Sequence, residues 1–404
     1  MRTIGDLRHD ELATLAREYL LAGHLIDRAG MPMVLAHGLD VMTEVAVEEW
    51  MGASPVYTPR MQRLLGFEGD TVEVACKAMQ LDIGAPPEFM DFRFTVHDDH
   101  HAEFQLDHCG ALMDVEPMGE EMVFAMCHDI EDPTFDATAW ATNRHMTIRP
   151  IHRPPREPAD RLPHCAWTLT IDPDGPENPE PVRAGLIGET RAGRLPLAVA
   201  DGPHDDGAAD YSGPLDADLR LERFSRATLR AMIEEIALQG HLLVLSFASA
   251  LAERTSPDEA ATTVARQFAG VAGVTAERLV AALGLGATAD DVATAFALHP
   301  AFAPRSYVDW SVEVDDDRVL LSLRECPATD EPGIESWMGA LRGGRDQALT
   351  AIAMGVDRHW VVERDGSDAG PVTRWTARRS DVAATELDDV TLTKFSTGAK
   401  FHFT

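Results

Sequence analysis

The sequence predicts an α+β fold written twice in tandem, with N-terminal helices packed on an antiparallel sheet in each copy and the copies joined as a pseudo-dimer. Three observations carry this reading. The chain repeats itself at a shift of about 217 residues. Within the first copy a helical apolar period gives way to a period of two. The length, 404 residues, suits two ordinary domains.

At the shift of 217, Gly23-His24-Leu25 falls on Gly240-His241-Leu242, Leu12 on Leu229 and Glu18 on Glu235. The segment from Asp98 to Cys109 meets Asp315 to Cys326 without a gap, and Pro87 meets Pro304. Further along, Arg144-His145 meets Arg358-His359 and Trp167-Thr168 meets Trp375-Thr376.

In copy one, residues 9–29 carry Leu12, Leu15, Leu20 and Ile26 at helical spacing, with Asp10 and Glu11 near the start, where the helix dipole favours acids. Further helices fit 38–51, 59–66 and 70–81. Phe92, Phe94 and Val96 then alternate with polar residues, Asp98-Asp99 turns the chain, and Phe104 and Leu106 resume the alternation, which is a hairpin pattern. Met122 to Met126 reads as a buried strand. Asp132 followed by Pro133 reads as the start of a helix running to about 142. Strands near 145–150 and 165–171 complete the sheet. Residues 172–222 are rich in Pro, Gly and Asp and read as linker. The two repeats therefore occupy 1–200 and 215–404.

The formal net charge of −32 repels phosphate backbones and anionic lipid, so nucleic-acid and membrane partners are not expected. No run approaches an apolar membrane span, and the N-terminus lacks the layout of a signal peptide. Five Cys, an odd number at low density, suit a reducing cytoplasm. No glycine-rich phosphate loop is present, so no nucleotide cofactor is expected.

Eight of the sixteen His and three of the five Cys lie between His97 and Cys165. Three Cys each adjoin a His: His108-Cys109, Cys127-His128 and His164-Cys165. Placed at strand ends, one member of each pair can face a common cavity. His108, Cys109, His128, His164 and Cys165 are thus candidate ligands for Zn or Fe, soft and imidazole donors being what these metals take. Without metal, Cys109 or Cys127 can act as a nucleophile with His128 or Glu131 moving protons. Arg144, His145 and Arg153, in a basic stretch ending at Arg156, are candidates for binding an anionic substrate group. Cys76 reads as core, His97, His100 and His101 as solvated turn residues, and His24 and His241 as a shared packing or hydrogen-bonding pair. Copy two keeps Cys326 for Cys109 but has Leu341, Arg342 and Arg345 for Cys127, His128 and Glu131. What only copy one carries is the candidate for function.

The order of helices, a hairpin ending in Cys109, Cys127-His128, the small-residue helix around Trp140 and His152-Arg153-Pro154-Pro155 before Cys165 resembles the L-2-amino-thiazoline-4-carboxylic acid hydrolase family and related bacterial domains. The resemblance covers about residues 10–170 and, faintly, 225–380. It implies an α+β domain that hydrolyses a carbon–nitrogen bond in a small carboxylate-bearing sulfur heterocycle, with Cys and His at the Cys109 and Cys127-His128 positions doing the work. The leading expectation is a Cys/His-based hydrolase of a small anionic metabolite. The alternatives are a non-catalytic metal- or ligand-binding sensor, with Met113, Met118, Met122 and Met126 lining an apolar pocket, and a non-haem iron redox enzyme. A homodimer beyond the internal pseudo-dimer is compatible with all three.

Overall fold

A computed structural model describes residues 1–87, 89–366 and 370–394. Copy one comprises α1 (His9–Val34), α2 (Leu39–Leu64), α3 (Val72–Met79), β1 (Met90–Asp98), β2 (His101–Cys109), α4 (Gly110–Val115), α5 (Glu120–Phe124), a π-helical turn (Ala125–Ile130), α6 (Glu131–Trp140), β3 (Met146–His152) and β4 (Cys165–Ile171). After α7 (Val182–Gly188), copy two follows the same plan: α8 (Arg226–Arg254), α9 (Pro257–Leu283), α10 (Ala289–Ala297), β5 (Trp310–Asp315), β6 (Arg318–Arg324), α11 (Trp337–Arg342), α12 (Gln347–Val356), β7 (Trp360–Arg364), β8 (Val372–Arg379) and α13 (Asp388–Thr393). Each copy has one four-stranded antiparallel sheet, ordered β1-β2-β4-β3 and β5-β6-β8-β7. Equal topology in two halves that align in the same order is the α+β duplication the sequence predicts.

The halves do not sit side by side as separate globules. The helix α2 runs along α8, and α9 along α1, while α1 and α8 meet between them. Because α1 corresponds to α8 and α2 to α9, these contacts map onto each other, as they do in an isologous dimer. Two ion pairs obey the same exchange. Glu18 on α1 binds Arg278 on α9, and Glu235 on α8 binds Arg60 on α2 at 2.7 Å. The Glu18/Glu235 match in the sequence is thus a repeated bridge between halves. One continuous apolar core spans both copies.

Several elements depart from the sequence expectation. The predicted break between 51 and 59 is absent, and α2 continues through Pro55 and Pro59. Packing along α8 outweighs the lost hydrogen bonds, and Ser246 Oγ donates to the Glu48 carbonyl on the α2 face. Met122–Met126 is helical, not a strand. Its short apolar run has no decisive period, while Glu120 and Glu121 suit a helix start and only Val123 and Ala125 are fully buried in that stretch. The chain does not restart at Asp132 either. Pro133 cannot donate to the Asp129 carbonyl, and the wider π turn before it carries the helix through. Residues 172–222 are largely irregular but fastened down. Tyr211 is fully buried, Arg60 donates to the Leu195 and Pro196 carbonyls, and Lys77 to that of Gly213.

Among the described residues one helix, α8, is long and apolar enough to cross a membrane by length and composition, contrary to the sequence reading. Its most apolar window is 89% buried between the halves, as a central core helix should be.

Candidate ligand cavity in copy one

A cavity of about 220 Å³ opens in copy one, enclosed by α1, α2, the segment leading into β1, α4 and the α5–α6 helical run. Met31, Met79, Met90, Phe89, Phe92 and Trp50 give it apolar walls. Met118, Met122 and Met126 line it too, whereas Met113 does not. The helical run from 120 to 140 matters here. The π turn aims Met126, Ile130, Glu131 and Thr134 along one face into the cavity.

Four carboxyl groups interrupt these walls. Asp27 on α1 lies against Glu49 on α2, with the Trp50 indole N–H also hydrogen-bonded to it. Burial raises Asp27 to about 7, and burial together with the Asp27 charge raises the wholly buried Glu49 well above the usual carboxylate range. Burial and mutual repulsion therefore disfavour the doubly ionised state of this pair. Asp82 is raised to about 6 by burial, against the Tyr57 hydroxyl (2.8 Å) and the Gly84 N–H (2.7 Å) that donate to it. Glu131 is raised to about 8 by burial. Asp114 is paired with Arg28 at 3.1 Å. His24 donates from Nε2 to the Gly84 carbonyl at 2.9 Å, and burial lowers it to about 4, so it is neutral. Its counterpart His241 makes the matching bond to the Ala303 carbonyl at 3.1 Å. That pair is the shared structural hydrogen bond expected from the repeat.

Copy two has lost three of the four lining acids and filled the space; Asp114 is kept as the buried Glu331, which accepts the Tyr307 hydroxyl at 2.8 Å. At the offset of 217 that joins the two His, Asp27 becomes Val244 and Asp82 becomes His299. At 218, Glu49 becomes Gln267, whose Nε2 donates to the Ile26 carbonyl. Trp50 becomes Phe268 and Phe89 becomes Tyr307 at the same offset, and Trp337 stacks on Phe268 with centroids 4.7 Å apart while meeting His241 edge-on at 5.8 Å.

The residues singled out by sequence are only partly brought together. Cys109 ends β2 opposite Met90, and Cys165 begins β4 opposite Leu106, so both thiols reach the same end of the sheet. Cys127 comes to them from the π turn, not from a strand end. The three thiols and Glu131 influence one another electrostatically, Cys127 feeling Glu131, Cys109 and Cys165. Burial, reinforced by Glu131, pushes Cys109 up to about 12 and raises Cys127 and Cys165 strongly. These are protonated thiols, the opposite of activated nucleophiles. Cys109 Sγ instead accepts the Leu112 N–H at 3.3 Å and caps α4.

The His residues turn elsewhere. His128 donates to the Pro154 carbonyl at 2.7 Å and stacks on Phe124. His164 Nδ1 accepts the Cys109 N–H, and its ring lies 5.8 Å from that of His108. Among the described residues, no three of His108, Cys109, His128, His164 and Cys165 bring their ligand atoms within 4.8 Å of one another. The donor set expected for Zn or Fe therefore does not fit a metal as it stands.

The basic stretch is neutralised in place. Arg144 lies over the Trp140 ring near Glu177, His145 donates to the Gly175 carbonyl, and Arg153 is bonded to Asp132. Arg156 grips Glu116 through two hydrogen bonds. None of the three predicted binding residues lines the cavity, though the Arg153 charge reaches Cys127 and Glu131. Of the predicted catalytic set, Glu131 alone does. No family model, curated protein or solved structure matches this chain.

Proposed function

We propose that copy one binds a small, largely apolar molecule bearing one protonatable nitrogen, held in the cavity among Asp27, Asp82 and Glu131. The observation that carries this reading is the lining itself: four carboxyl groups in apolar walls, with one basic group, Arg28, already paired to Asp114. An ammonium entering this space gains a carboxylate partner, and the apolar remainder of the ligand is desolvated against Met, Phe and Trp50 side chains. A carboxylate would face acids on several sides. The cavity therefore favours a cationic group over the anionic one implied by the family resemblance.

The test compares benzylamine, benzyl alcohol and benzoate of similar shape, read by Trp fluorescence and calorimetry. Benzylamine should bind tightest, with a proton released as the Asp27–Glu49 pair ionises. Asp27→Asn should abolish the preference. Equal binding of benzoate, or an unchanged preference in Asp27→Asn, overturns the proposal.

Carbon–nitrogen hydrolysis at the same cavity is a second reading, favoured by Glu131. It is neutral at pH 7, faces the cavity and adjoins the three thiols, so it is the group able to protonate a leaving nitrogen. Glu131→Gln should then bind ligand but fail to turn it over. The free thiols suit a cytoplasmic setting.

A further inference from the structure

Outside the cavity, one group of side chains is assembled without a structural debt to the fold. His97 lies near the end of β1, and His101 and Glu103 lie at the start of β2. Thr95 pairs with Glu103 in the ladder. Side chains two apart share a face, so His97, His101 and Glu103 all stand on the side of the sheet opposite the buried Ala102, Phe104 and Leu106. The two imidazoles stack with centroids 4.8 Å apart, and His97 Nε2 is 3.8 Å from Glu103 Oε1. One ligand atom from each of the three lies within 4.8 Å of the others.

We propose that His97, His101 and Glu103 form a surface site for Zn²⁺, with its remaining coordination positions open to water. Two imidazoles and one carboxylate are donors for borderline cations, not for Ca²⁺ or Mg²⁺, which take oxygen alone. With bonds of about 2.0–2.1 Å, tetrahedral geometry separates ligand atoms by roughly 3.3 Å. The His97–Glu103 distance needs a few tenths of an ångström of closure, within reach of partly exposed side chains.

Copy two supplies the control. At the offset of 217 its hairpin has the same strands and the same turn but carries Val314, Arg318 and Leu320 at these places. The hairpin therefore folds without the triad. In copy one the turn is also tied to the rest of the domain, since the Val72 N–H at the start of α3 donates to the Asp99 carbonyl. A bound ion would clamp both strands at this corner.

The experiment titrates the full chain with Zn²⁺ against a chromophoric chelator at pH 7.5. The wild type should take up one tightly held ion per chain. The His97→Val/His101→Arg double variant, which installs the residues of the copy-two hairpin and so preserves the fold, should bind it at least about tenfold more weakly, given that losing even an outer-shell partner costs that much. Lowering the pH to 5.5 should release the ion from the wild type as protons compete for the imidazoles. Absence of a stoichiometric ion in the wild type, or undiminished affinity in the folded double variant, overturns the proposal.

Discussion

Replacing Glu131 with Gln should change how stability depends on pH, and the size of the change follows from its burial. Glu131 titrates near 8 in the folded protein against 4.5 for an ordinary glutamate. Its folded-state value is raised, so between these limits the native state holds a proton that the unfolded chain has released. Stability then falls as pH rises, because unfolding is favoured by every step that makes that proton harder to keep. Each pH unit well inside the window costs about 1.4 kcal/mol per group and the slope halves at the folded value, so going from pH 6 to pH 8 removes roughly 2 kcal/mol through Glu131 alone. Asp27 and Glu49 add to the same slope, being raised for the same reason. Gln cannot ionise and fits the same volume. Urea unfolding of the wild type and Glu131→Gln at half-unit steps from pH 5.5 to 8.5 would measure both slopes. The variant should be the flatter, with the two curves converging on the acid side and separating toward pH 8. Parallel curves across pH 6 to 8 would mean that Glu131 is ionised in the folded protein, and the case for it as a neutral acid at the cavity would fall.

Two further outcomes follow from the same physics. Arg60→Ala strands the buried Glu235 carboxylate and frees the Leu195 and Pro196 carbonyls, so it should cost about 3–5 kcal/mol in urea unfolding and expose residues 195–198 to limited proteolysis, while an unchanged midpoint would show that the bridge between halves contributes nothing. Cys326 is the one thiol of the five that is not fully buried, so one equivalent of a thiol reagent should react quickly at pH 7.5 in the native protein, and labelling at Cys109 or Cys127 ahead of it would contradict the burial described above.

What the sequence could and could not reveal divides along physical lines. Periodicity is local, so the hairpin, the long N-terminal helices and the repeat were readable from residue spacing. The meeting of Cys109 and Cys165 at one end of the sheet follows from their places at strand ends, whereas Cys127 arrives from a helical turn that the strand expectation for Met122–Met126 missed. The helix at 120–130 was not readable, because a short apolar run with no clear period suits either state and only the acidic start favoured helix. The orientation of His128 and His164 depended on carbonyl and amide partners far off in the chain. The acids of the cavity were the larger omission. Asp27 and Glu49 look like polar positions on ordinary amphipathic helices, and nothing in the sequence between them marks a pair. The signal that marks them is the difference between the two copies. Val244 and Gln267 at the matching places flag Asp27 and Glu49 as positions where the scaffold itself requires no carboxylic acid.

That comparison also explains why two copies with one topology diverged in opposite directions. Each copy lends its helices to the other, so neither can lose its helical scaffold without exposing its partner's core, and the exchanged bridges Glu18–Arg278 and Arg60–Glu235 hold both in place. A cavity lined with raised carboxyl groups is costly, since every one of them is desolvated and apolar contacts are missing across the void. In copy two the same corner is closed by Trp337, Phe268 and Tyr307, which bury large surfaces. The solid half can therefore carry stability that the hollow half gives up, through an interface they share helix by helix. On this argument, a copy one expressed alone would lose the α8 and α9 surfaces against which α2 and α1 are packed, and with them the walls that keep the cavity open.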